Sequence, residues 1–116
     1  MITKSQIKFI QGLYLKKNRI KYKSFIVEGE KNVLELLKSN YKVIELYATS
    51  SWKYNDTTFD VCNVTNNELS RISKLKTPNK VVAVVKIPDL IPLEKSGVIL
   101  VLDSISDPGN LGTIIR

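Results

Sequence analysis

Val98-Ile99-Leu100-Val101-Leu102-Asp103-Ser104-Ile105-Ser106-Asp107-Pro108-Gly109-Asn110-Leu111-Gly112-Thr113-Ile114-Ile115-Arg116 is the stretch that decides the fold. It opens with five apolar residues, 98–102, whose β-branched run suits a buried parallel strand. Asp107-Pro108-Gly109 then bends the chain, since glycine permits torsions and close approaches that a side chain would block. Thr113-Ile114-Ile115-Arg116 reads as a helix beginning. Asn110 could cap that helix, whose free N–H groups could meet a phosphate or carboxylate. The spacing is neither the dinucleotide fingerprint nor the P-loop. From turn chemistry alone, a capped connecting turn and an anion loop at Pro108-Gly109-Asn110 stand level. A strand, a turn and one helical turn cannot bury themselves. We therefore expect residues 98–116 to be the incomplete start of a second domain. Residues 88–97, with Pro88, Pro92, Lys95 and Gly97, read as a linker to it.

Upstream, apolar periodicity alternates between helix and strand. Ile7, Ile10, Gln11 and Tyr14, widened by Phe9 and Leu13, predict a helix over residues 3–16, with Thr3 or Ser5 as N-cap. Phe25-Ile26-Val27 marks a short strand ended by Glu28 and Gly29. Val33, Leu34, Leu36 and Leu37 line a second helix, stopped by Ser39 and Asn40. Residues 43–48 alternate as a strand, 49–58 read as a polar loop, and 60–64 as another short strand. Residues 65–74 suit a helix with Thr65 or Asn66 as N-cap and Glu68 in its first turn. After the turn at Thr77-Pro78-Asn79, the run Val81-Val82-Ala83-Val84-Val85 suits a central strand buried on both faces. The prediction is a layered helix–sheet–helix α/β domain over residues 1–87.

The charge is placed unevenly. Of 18 basic and 11 acidic side chains, residues 1–23 hold seven basic ones (Lys4, Lys8, Lys16, Lys17, Arg19, Lys21 and Lys23) and no acid, so the net +7 sits in that stretch. Cations so clustered suit a polyanion, because each one near a phosphate releases condensed counterions. The plainer alternative is a solvated basic helix. Lys16, Lys17, Arg19, Lys21 and Lys23 are expected at or just beyond the end of the first helix, where they would also favour its dipole. They are the candidate RNA contacts, Arg19 foremost, with Tyr14 and Tyr22 among them. Tyr14 falls on the apolar face and suits the core; Tyr22 is open. Glu28 and Glu30 read as a strand end and a first-turn carboxylate, not a catalytic pair. Cys62 suits packing, and Trp52 could anchor a hinge or stack.

Other classes are excluded by composition. With no histidine and one cysteine, the chain has no disulfide, no histidine-based nucleophile and no cysteine–histidine metal set. Apolar runs stop at five residues, too short for a bilayer, which needs about 20. No secretory leader is legible after Met1, so a cytoplasmic location is the default.

The quoted stretch closely resembles the first signature motif of the SpoU (TrmH-type) RNA 2′-O-ribose methyltransferases. These belong to the SPOUT superfamily, with its deep trefoil knot. The matching order is a hydrophobic strand, Leu-Asp, Asp-Pro-Gly-Asn-Leu-Gly, two aliphatics and Arg. Phe25-Ile26-Val27-Glu28-Gly29-Glu30, Lys17-Asn18-Arg19 and residues 77–85 also resemble parts of the family's N-terminal domain, itself similar to ribosomal proteins that bind bent RNA. Asn79-Lys80 departs from the Gln-Gly expected there. The resemblance implies a parent enzyme that moves a methyl group from S-adenosylmethionine to a ribose hydroxyl of rRNA or tRNA, with Asn110 and Arg116 as catalytic residues. It implies a homodimeric parent and a cofactor pocket built by later motifs. The chain alone is then expected to hold no cofactor, to be inactive, and to be possible as a monomer. Rival expectations are a stand-alone RNA-binding module and a mononucleotide-binding domain.

Overall fold

The computed structural model describes residues 1–56, 58–94 and 96–116; Thr57, in the predicted loop, and Lys95, in the predicted linker, lie outside them. The order is α1 (Lys4–Gly12), α2 (Lys16–Tyr22), β1 (Ser24–Glu28), α3 (Glu30–Leu37), β2 (Val43–Ala48), β3 (Cys62–Asn63), α4 (Asn66–Ile72), β4 (Val81–Lys86) and α5 (Pro108–Ile115). The strands form a sheet in the order β1-β4-β2-β3. β4 runs antiparallel to both β1 and β2, and β2 runs parallel to β3.

β4 divides the core by its period of two. Val82 and Val84 face Ile7, Ile10, Leu13, Leu69 and Ile72 under α1 and α4. Val81, Ala83 and Val85 face Val33, Leu36, Leu46 and Trp52 under α3 and the loop after β2. With helices over both faces, an antiparallel strand needs apolar residues at every position, so the unbroken valine run follows. The layered helix–sheet–helix expectation is met. Trp52 is a core residue, 7% exposed and stacked on Tyr54 with ring centroids 4.9 Å apart.

Helix starts follow local capping. In α4 the Thr65 hydroxyl accepts from the Glu68 N–H at 3.2 Å, and the Thr65 N–H donates to Glu68 Oε2 at 2.8 Å. Thr65→Ala is expected to lower stability by about 0.5–2 kcal/mol, measured by urea unfolding; an unchanged midpoint would show the cap to be idle. The Thr65 backbone N–H also holds the Glu68 carboxyl below the usual carboxylate range. A carboxyl lowered by folding stabilises above its unfolded pKa and loses that contribution as pH falls through the folded value. The Glu68 half of this cap therefore weakens in acid.

Several expectations are corrected. The helix predicted over 3–16 stops at Gly12, and α2 follows as a separate helix. The break sits where Gly12, a poor helix former, gives its carbonyl to the Leu15 N–H at 3.0 Å. The strand predicted over 60–64 shrinks to two residues, Cys62 and Asn63, which pair with Tyr47 and Ala48 at the end of β2. The helix predicted over 65–74 ends at Ile72. Residues 98–102 form no strand: they lie exposed, Val98 and Val101 above 80%. An extended apolar run becomes a strand only when a neighbour takes its backbone hydrogen bonds.

Candidate functional site

The basic stretch is organised by the turn between α1 and α2. Asn18 Nδ2 donates to the Gly12 carbonyl at 2.9 Å, and Arg19 Nη1 donates to the carbonyls of Leu13 and Tyr14 at 3.0 and 2.9 Å. These are carbonyls that the end of α1 leaves without intrahelical partners. Arg19, expected foremost as an RNA contact, thus has a structural duty: part of its guanidinium closes α1 and clamps α2 against it. Asn18 and Arg19 face the body, whereas Lys16, Lys17, Ile20, Lys21 and Lys23 are exposed.

The dipole argument also changes. Lys16 and Lys17 do not follow the end of a helix; they open α2, with no acidic residue in its first turn. Cations there oppose the helix dipole by roughly 0.3–1 kcal/mol each at low salt. Lys23 ends α2 in the left-handed conformation, φ 47°, where glycine would sit with less strain. Helix stability explains neither choice. All three side chains are exposed.

A carboxylate ties this region to the segment that follows α4. Glu28, at the end of β1, has its Oε1 2.6 Å from the Tyr14 hydroxyl and accepts from the Lys74 N–H at 3.2 Å; Oε2 accepts from the Ser73 hydroxyl. The Tyr14 hydroxyl also lies 2.7 Å from the Ile72 carbonyl. Burial, and then the Glu28 hydrogen bond, push the Tyr14 phenol well above its ordinary value. Lys74 Nζ sits 4.8 Å from the centre of the Tyr14 ring. Lys74 therefore belongs beside the α1–α2 junction, which no sequence spacing signalled. Glu30 pairs with Lys80 at 3.0 Å. The two glutamates hold structure together, and each has its own partner.

At the other candidate site, Asp107 caps α5: its Oδ2 accepts from the Asn110 N–H at 3.0 Å. Asn110, expected as a possible cap, is instead the third residue of the helix. Asn110 and Arg116 are both exposed. Six positions apart, they differ by about 240° around a helix axis, so α5 alone does not converge them. Leu111, Ile114 and Ile115 are also exposed on it. Among the described residues, no group of three or more Asp, Glu or Cys side chains could hold a metal, and no helix is long and apolar enough to cross a membrane.

Residues 4–83, from α1 into β4, match the family model described as the MRM3-like substrate binding domain. The chain belongs to this family. This MRM3-like chain is 32% identical, over 114 residues, to the 23S rRNA (guanosine(2553)-2′-O)-methyltransferase RlmP of Bacillus subtilis. That match takes in 96% of the chain and 46% of RlmP. Among solved structures, a TrmH-family protein from Porphyromonas gingivalis superposes with a TM-score of 0.82 at 33% identity. It covers 100% of this chain and 47% of its own. The SpoU methyltransferase AviRb of Streptomyces viridochromogenes, in complex with the cofactor AdoMet, shares the fold at 22% identity, with a TM-score of 0.69, over 98% of this chain and 48% of its own. The MRM3-like chain thus spans about half the length of the relatives it matches, and its fold is that of the corresponding part of SpoU/TrmH methyltransferases.

Proposed function

We propose that this chain is the substrate-binding part, and the beginning of the catalytic part, of an S-adenosylmethionine-dependent RNA 2′-O-ribose methyltransferase. One observation carries the reading. The likeness to the TrmH-family structure covers 100% of the chain and so does not stop at residue 83, where the substrate-binding match ends. Residues 1–87 are the RNA-binding domain, 88–97 a linker and 98–116 the start of the catalytic domain. Ribosomal RNA is the favoured substrate, because the B. subtilis relative is named for it; tRNA is the competing outcome.

In this reading Lys16, Lys17, Lys21 and Lys23 neutralise phosphates along the outer face of α2. Arg19 holds that helix in place and offers its remaining donors. Asn110 and Arg116 serve the reaction. A guanidinium is a lasting cation with planar donors, so Arg116 grips a phosphate beside the target ribose and orients its hydroxyl. Asn110 positions groups around it. S-adenosylmethionine supplies the methyl group from a pocket in the half of the enzyme this chain does not span; no residue here is assigned to it. The same half would build a homodimer. A cytoplasmic location fits this role.

The RNA surface is tested by salt. Replacing Lys16, Lys17 and Lys21 together by alanine is expected to weaken RNA binding roughly 10- to 100-fold and flatten the plot of log K against log salt by about 2–3. Fluorescence anisotropy across a salt series reads both; an unchanged slope places the RNA elsewhere. The activity is tested on the complete enzyme with a labelled methyl donor and separate rRNA and tRNA substrates. Failure to methylate any ribose would end this assignment.

A further inference from the structure

The two basic helices do more than present charge: they border an open groove. It holds about 540 Å³ between the outward faces of α1 and α2, within the range of roughly 300–1,000 Å³ common for small-ligand sites. Its aromatic residues are Phe9 and Tyr22, with ring centroids 5.3 Å apart and planes at 77°. Phe9 packs onto the core and fixes this side of the groove, whereas Tyr22 is 48% exposed. Lys21 Nζ lies 5.2 Å from the centre of the Tyr22 ring.

Polar groups line the rest. Asn18 and Gln11 each commit their side-chain N–H₂ to a backbone carbonyl, Gly12 at 2.9 Å and Arg71 at 2.8 Å. Their amide orientations are thereby set, and both side chains border the groove. Ser5 and Lys8 complete it from α1. Gly12 lets the helices close this tightly, since a Cβ there would meet Asn18 Nδ2 at 3.2 Å. No acidic side chain occurs before Glu28, so nothing nearby in sequence repels a phosphate.

An aromatic ring for stacking, anchored amides for a polar edge and surrounding cations for a backbone are together the requirements of an unpaired nucleotide. A paired helix would present phosphates and ribose to this surface but no free base face. We propose that the α1–α2 groove takes a single unpaired RNA base, stacked against Tyr22, and so selects a bulged or looped site over a continuous duplex. The proposal rests on the reading of this domain as RNA-binding and adds to it the feature of RNA recognised.

The test compares two hairpins matched in length and charge to within one nucleotide, both closed by a non-nucleotide linker so that neither has an unpaired loop, one fully paired and one with a single-nucleotide bulge, by anisotropy with the full chain. The bulged hairpin is expected to bind about tenfold more tightly, the size of one base–aromatic stack. Tyr22→Leu keeps an apolar contact for Phe9 but removes the aromatic face, and should bring the ratio of affinities near one; Tyr22→Phe should keep it. As a check independent of any variant, 2-aminopurine at the bulge should lose fluorescence when the unmodified chain binds. Equal binding of both hairpins, or a preference that persists in folded Tyr22→Leu, overturns the proposal and leaves the RNA-binding reading standing. If neither hairpin binds at low salt, the RNA-binding reading falls and takes this one with it.

Discussion

Arg116→Ala in the complete enzyme is expected to lower the rate of methyl transfer at saturating RNA by about 10²–10³-fold, the usual loss when one preorganised charge is removed from a reacting centre. RNA affinity should change far less, because one phosphate contact among many is lost. The split matters. A residue that merely helped to hold RNA would raise KM and spare kcat, whereas one that orients the ribose hydroxyl acts on kcat. Arg116→Lys should recover part of the rate, since an ammonium still attracts the phosphate but cannot hold it with a planar, two-pronged grip. Single-turnover assays with a labelled methyl donor measure this. A kcat within threefold of the unmodified enzyme would remove Arg116 from the reaction. The side chain is exposed at the end of α5.

Val84→Asp is expected to abolish cooperative folding. Val84 is 0% exposed at the middle of β4, and it packs with α1 and α4 on the face that also holds Ile10 and Ile72. Its backbone belongs to the strand paired on both sides, opposite Ile26 on β1 and Glu45 on β2. A carboxylate there would sit in a cluster made almost wholly of apolar side chains, so it would enter the core charged or take up a proton. Either route costs more than about 4 kcal/mol, and a domain of this size holds only about 5–15 kcal/mol in total. Thermal melting followed by circular dichroism should show no sigmoidal transition. Ile44→Thr is the matched control: Ile44 is 48% exposed on β2, where the register with β4 is irregular, and should shift the melting point only slightly. A cooperative melt in Val84→Asp near the unmodified midpoint would mean that β4 is not the centre of this fold.

Much of the domain was legible because its determinants are local. The valine run at 81–85 announced a strand covered on both faces, and β4 is that strand. Residues 43–48 alternate, and β2 has those bounds. Of the two caps the sequence offered for α4, Thr65 is the one used, and Glu68, expected in the first turn, completes a capping box with it. Such features need only neighbours three or four positions away, or one side chain in every two, so the chain carries them in plain order. The resemblance of residues 102–116 to a signature motif likewise needed only residue order, and it pointed to the SpoU/TrmH relatives found by comparison.

What depended on distant partners was not legible. Arg19 looked like a free donor for RNA, but its targets are carbonyls five and six residues back, reachable only after the chain turns at Gly12. The same turn made α2 a helix of its own and put Lys16 and Lys17 at its start. Lys74, which follows α4, came to Tyr14 through Glu28 on the face that α1 and α4 share. Amino-acid order alone thus determined where helices and strands could begin and which faces would be apolar, since those follow from hydrogen bonds and periodicities spanning a few residues. Tertiary structure decided the sheet order β1-β4-β2-β3 and the division of the N-terminal cations into one that braces and several that face outward. It also left residues 98–102 unpaired. A strand or a cap exists only where a partner group arrives from elsewhere in the chain, and its arrival is a property of the folded whole.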